Sequence, residues 1–132
     1  MDRGKIDAAD FRELQVPARV TIPQLQTQFQ ERYELDETIS WALVISSSES
    51  LREVLTESEK ILVTCSDDMD YEPIRPIVHR IKGLFLNMGA EEWASYVTSL
   101  KKSRKGQVYS NFQKLMENIQ KNFNEIIILC EK

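Results

Sequence analysis

The chain is predicted to be all-α: an antiparallel four-helix bundle with a short additional N-terminal helix. Three observations lead there. Apolar residues recur at three- and four-residue spacing through most of the sequence, the period of one helix face. Cap and stop residues stand where those periodic stretches begin and end. Only four glycines and four prolines punctuate 132 residues, and no alternating strand pattern competes.

Residues 1–20 have weak periodicity and are expected to form a loose arm, leaving 21–132 as the domain. Thr21-Ile-Pro-Gln24 has the form of a capping box, with a polar cap and a glutamine three residues on. Pro23 falls in the first turn, where its missing N–H is tolerated. A short helix through Tyr33 follows. Asp36 can cap a second helix running to about Cys65, in which Leu51, Val54, Leu55, Ser58, Ile61 and Leu62 keep the helical spacing. Ser46-Ser47-Ser48 is its weak point, because serine competes for backbone hydrogen bonds. Ser50-Leu-Arg-Glu53 offers a second capping box, so a break near 46–50 is open.

Ser66-Asp-Asp-Met-Asp70 reads as a loop ending in a helix cap. Its aspartates lack the glycine and distal glutamate of a calcium loop, and no metal site is expected. A third helix spans about 72–88, with Pro76 perturbing its first turn and Gly89 placed to end it. A fourth covers about 90–105 with Trp93, Tyr96, Val97 and Leu100 on one face, and stops at Gly106. A fifth carries Val108, Phe112, Leu115, Met116, Ile119, Phe123 and Ile126. Short loops among these last three make neighbours antiparallel.

Composition narrows the function. A formal charge of −4 argues against nucleic acid or an anionic membrane as the partner, since both attract basic surfaces. No stretch has the roughly 18–20 apolar residues of a membrane span. The acidic N-terminal stretch lacks the apolar run of a secretory signal, so a cytoplasmic protein is expected. Cys65 and Cys130 fit no metal-ligand spacing and read as reduced thiols packed as small hydrophobes. Glycine-rich nucleotide loops, the GxSxG elbow and the HExxH zinc motif are absent from the sequence. No autonomous enzyme activity is expected.

The third helix holds the most informative residues. At about 100° per residue, Ile74, Ile77, Val78, Ile81, Leu84, Phe85 and Met88 form one apolar arc, the expected core face. His79, the only histidine in the chain, lies roughly opposite its centre. Arg75, Lys82, Gly83 and Leu86 share that outer side. A mid-helix glycine costs about 1 kcal/mol relative to alanine, so Gly83 needs a reason. Beside an exposed imidazole, a missing side chain lets another protein's backbone approach. Lys82 can hold an anion on the ring. Leu86 is the exposed apolar residue of a docking surface. Scattered surface residues and an accidental glycine would explain each position separately, but not their grouping.

The run His79-Arg-Ile-Lys82-Gly83-Leu-Phe-Leu-Asn-Met-Gly89 resembles the histidine-containing phosphotransfer (HPt) family of two-component phosphorelays. That family has a lysine three residues after its histidine, a glycine four after and a second glycine ten after. The architecture extends the resemblance over residues 22–132. It implies that His79 is phosphorylated, at Nε2, and that Lys82 stabilises the phosphoryl oxygens. It also implies that Gly83, Arg75 and Leu86 meet a receiver domain, and that Gly89 is structural. Lys101 and Lys102, on the next helix, are further candidates that nothing in the pattern fixes. Two departures are visible: Leu84 and Phe85 stand where small residues are common, and Pro76 is unusual three residues before the histidine.

The resemblance further implies reversible transfer between His79 and receiver-domain aspartates. The partners would be response regulators and a sensor or hybrid histidine kinase. The receiver would bring its own Mg²⁺, and the carrier itself would need no cofactor. A monomer is expected, because one bundle consumes the periodic faces. Two other readings stand beside this one. A helical adaptor of another class would leave Gly83 unexplained. An HPt-shaped inhibitor or docking protein that carries no phosphate would typically have lost its histidine. A metal or haem protein built on a single outward histidine fits poorly.

Overall fold

The computed structural model describes residues 11–65 and 69–129. Those residues are all-α, with no strand among them. Six helices follow in order: α1 (Ile22–Tyr33), α2 (Glu37–Thr64), α3 (Arg75–Asn87), α4 (Glu91–Thr98), α5 (Val108–Asn122) and α6 (Asn124–Ile128). Single 3₁₀ turns cover Phe11–Glu13, Glu72–Ile74 and Ser99–Lys102. Among the described residues no helix is long and apolar enough to cross a membrane.

Local chemistry accounts for the helix ends. Thr21 and Gln24 form a reciprocal capping box at α1, with Gln24 N–H donating to Thr21 Oγ1 at 3.3 Å and Thr21 N–H to Gln24 Oε1 at 3.0 Å. Asp36 accepts from Ile39 N–H at 2.8 Å and starts α2. Residue Gly89 ends α3 at φ +75°. There Ala90 N–H donates back to Phe85 O at 2.8 Å and Gly89 N–H to Leu86 O at 3.1 Å, the paired bonds of a Schellman motif. A Cβ at Gly89 would also fall 2.5 Å from the Gln28 side chain of α1. Both backbone conformation and space therefore require glycine here. The chain turns, and α4 folds back against α3.

Several expectations are revised. The serine run does not break α2, which is continuous for 28 residues. Ser47 and Ser48 are buried, and Ser48 Oγ donates to the Ile126 carbonyl at 2.6 Å. Small residues there let α6 approach, and the hydroxyl gives the Ile126 carbonyl a second donor beside Leu129 N–H at 3.3 Å. The third helix starts at Arg75 after a 3₁₀ turn, so Pro76 lies in the first turn and deprives α3 of no hydrogen bond. The fourth is shorter than expected, tightening into the turn Ser99–Lys102. The fifth stops at Asn122, because Phe123 leaves helical dihedrals (φ −114°, ψ 20°) with its ring in the core. The break re-aims α6, whose Glu125 carboxylate accepts from Ile22 N–H at 3.1 Å and helps cap α1.

The part of the expected loose arm that is described, residues 11–20, is packed. Phe11 is buried and its ring lies 4.7 Å from that of Tyr96. Trp93 Nε1 donates to the Ala18 carbonyl at 2.9 Å, and Val20 N–H to Asn122 O at 3.0 Å. Residues 1–10, most of the loop at 66–70 and Cys130 fall outside the described residues. Cys65 is a free, half-buried thiol at the end of α2.

The core closes behind α3. Ile74, Ile77, Val78, Ile81, Phe85 and Met88 are buried as their spacing predicts, with Leu84 half-buried. Phe85 stacks on Phe123 at 4.8 Å, and Trp93 meets Phe123 edge-on at 5.0 Å. Such aromatic pairs add about 0.5–1.5 kcal/mol each beyond area burial. The inner face of α3 is thus fully committed, which fixes where its outer face points.

Candidate functional site

His79 is exposed at the middle of α3. Its ring has no hydrogen-bond or ion-pair partner among the described residues. Gly83 is one turn further on, exposed, and a Cβ built on it would meet nothing within 4 Å. No intramolecular contact among the described residues calls for glycine there. Lys82 is half-buried and Leu86 is 40% exposed. These four residues come together as the sequence predicts.

Arg75 shares the face, but its guanidinium is engaged. It donates to Glu72 at 2.5 and 3.2 Å and lies over the Tyr71 ring at 5.3 Å. The same hydrogen bond and charge hold the Glu72 carboxyl below its usual range. Burial pushes the Tyr71 hydroxyl up, against the opposing charge of Arg75. On the other flank Arg80 is bound to Glu57 and lies 3.8 Å from Glu53, both on α2.

Two depressions flank the C-terminal half of α3. On the α4 side, one of about 510 Å³ is lined by Lys82, Leu86, Ser95, Thr98, Ser99 and Lys102. Lys102 therefore joins Lys82, whereas Lys101 does not line this depression. On the α2 side, an apolar depression of about 490 Å³ is lined by Phe29, Tyr33, Ile39, Leu43, Leu84 and Asn87, among others. Ile39 is 50% exposed and Tyr33 45%. Sequence reasoning missed this second surface. Its signal in the sequence was Ile39 and Leu43, an i, i+4 apolar pair at the start of α2.

The arrangement suits a nucleophile offered to a macromolecule rather than one enclosed for a small substrate. The imidazole is open to solvent, a bare backbone lies beside it, and apolar surface lies within the same face. Among the described residues no three His, Cys, Asp or Glu side chains group as metal ligands. No protein-family model, curated protein or solved structure matches this chain.

Proposed function

We propose that this protein is a phosphorelay carrier of the HPt type, an antiparallel four-helix bundle acting in the cytoplasm. His79 accepts a phosphoryl group from a receiver-domain aspartate and passes it to another. The observation that carries this reading is the outward, unpartnered His79 with bare Gly83 one turn on and Lys82 at its flank. The partners are response-regulator receiver domains and a sensor or hybrid histidine kinase.

In the transfer step the Nε2 lone pair of neutral imidazole, its proton on Nδ1, attacks phosphorus. The P–N bond forms as the P–O bond to the aspartyl carboxyl breaks. That electron pair leaves with the carboxylate, and the ring keeps its Nδ1 proton as an N-phosphoryl imidazolium. The receiver supplies its own Mg²⁺ and acidic pocket, and the carrier supplies nucleophile, cation and docking face. Positioning is most of what this chemistry asks of it. The carrier has no autonomous enzyme activity.

Incubation with a phosphorylated receiver domain tests this. Label that is acid-labile, alkali-stable and lost in His79→Gln is the expected result. The apolar depression beside Tyr33 and Ile39 favours one second reading, a docking protein without phosphoryl chemistry. Binding of competent donors with no label on the wild type would establish that reading instead.

A further inference from the structure

The cations around His79 are not equivalent. Arg75 is neutralised by Glu72, Arg80 by Glu57 with Glu53 nearby, and Arg32 lies 3.8 Å from Glu91. Lys82 and Lys102 differ from these arginines. Neither has an ion-pair or hydrogen-bond partner among the described residues, yet both line one depression between α3 and α4. Glu91 lines it too, beside its partner Arg32. The Thr98 and Ser99 hydroxyls donate to the Ala94 and Ser95 carbonyls at 2.8 and 3.0 Å. The donors left to meet a ligand are the two ammonium groups and the Ser95 hydroxyl. Two like charges sharing a depression repel, and a dianion between them reverses the sign of that term.

Helix geometry explains why Lys102 and not Lys101 belongs here. The turn Ser99–Lys102 is 3₁₀, with three residues per turn, so Lys102 eclipses Ser99 on the α3-facing side while Lys101 is rotated away. The climb from Ala90 to Lys102 is roughly 20 Å, and His79 lies roughly 14 Å back from Met88 along α3. Lys102 therefore stands about one turn beyond the histidine, and Lys82 about one turn short of it. By this reckoning the two lysines fall on either side of the level of His79, which does not itself line the depression.

We infer that Lys82 and Lys102 form a two-lysine clamp for a phosphoryl dianion at His79, with Lys102 the positioning cation supplied by the end of the α4 segment. The inference rests on the carrier reading and adds to it a second cation from another element.

The test uses the full chain with a phosphorylated receiver domain as donor. It compares Lys102→Ala, Lys102→Arg, Lys101→Ala and His79→Gln. Lys102→Ala should slow transfer on the order of tenfold, the weight of one charge-assisted hydrogen bond. Lys102→Arg should restore most of the rate, and Lys101→Ala should stay within about twofold. The ³¹P resonance of the phosphohistidine should move in Lys102→Ala and not in Lys101→Ala, a readout that a merely structural role would leave alone. If Lys102→Ala and Lys101→Ala behave alike while His79→Gln abolishes label, the clamp is wrong and the carrier reading stands. If the wild type takes no label, the carrier reading fails, and titration with inorganic phosphate decides the clamp. Saturable amide shifts at Lys82, Ser95 and Lys102, lost in Lys102→Ala, would support it; their absence would overturn it.

Discussion

Gly83→Ala separates folding from function at a single methyl group. Gly83 lies in the interior of α3, where glycine costs about 1 kcal/mol relative to alanine. No steric penalty offsets this, since a Cβ there meets nothing within 4 Å. The variant should therefore be more stable by about 1 kcal/mol. For a chain of 132 residues that is a rise of about 4 °C in Tm, or about 0.5 M in the urea midpoint at unchanged slope. The same methyl stands beside His79, where a receiver domain would seat on the carrier reading. Overpacking an interface by a methyl or more typically costs about 1–3 kcal/mol, so transfer to and from a receiver should slow on the order of tenfold. Urea unfolding and a phosphotransfer time course on one preparation read both effects. A variant that gains stability and transfers at the wild-type rate would sink the docking argument. A variant that loses stability would show an internal role for Gly83 and remove the reason for calling it functional.

Gly89→Ala should act in the opposite way, costing about 1–3 kcal/mol from the left-handed backbone alone. Gln28→Ala should recover part of any further loss by removing the atoms the new methyl strikes, which a double-mutant cycle in urea measures. Ser48→Ala should destabilise by about 0.5–1.5 kcal/mol, the net worth of one hydrogen bond, since the Ile126 carbonyl keeps Leu129 N–H at 3.3 Å. Burial raises the Tyr96 hydroxyl above the usual tyrosine range, although the hydrogen bond from Asn118 partly opposes the shift. Its contribution to stability is therefore complete below pH of about 10 and lost as pH rises through the raised value. Ultraviolet difference spectra should show Tyr71 and Tyr96 ionising late, with the Tyr96 component missing in Tyr96→Phe. The Glu72 contribution runs the other way: with its pKa lowered by Arg75, it holds above the ordinary carboxylate range and fades as pH falls. Glu72→Gln should flatten that acidic limb of the stability profile.

What could be read from the sequence was what neighbouring residues settle among themselves. Thr21 and Gln24 make both bonds of their box, Asp36 caps α2, and Gly89 closes α3. The arc from Ile74 to Met88 is buried as spaced, and His79 and Gly83 are exposed opposite it. What was not legible depends on partners far along the chain. Ser46-Ser47-Ser48 has the local chemistry of a break, but α6 packs over it 78 residues away. The fifth helix has unbroken periodicity through Ile126, yet Phe123 turns out of it into the aromatic cluster. Arg75 and Arg80 look like free cations until Glu72, Glu53 and Glu57 are placed beside them. The apolar depression needs α1, α2 and α3 assembled before it exists.

The division of α3 into two faces bears on how such a surface changes over generations. The residues that hold the helix are Ile77, Val78, Ile81 and Phe85, all turned inward. Of those that meet solvent, Arg75 and Arg80 are ion-paired, but His79 has no partner among the described residues, and a Cβ at Gly83 would meet nothing within 4 Å. Substitutions at His79 and Gly83 thus cost the fold little or nothing. On the carrier reading, a lineage can change its docking partner or lose the histidine and keep an intact scaffold, without passing through an unstable ancestor.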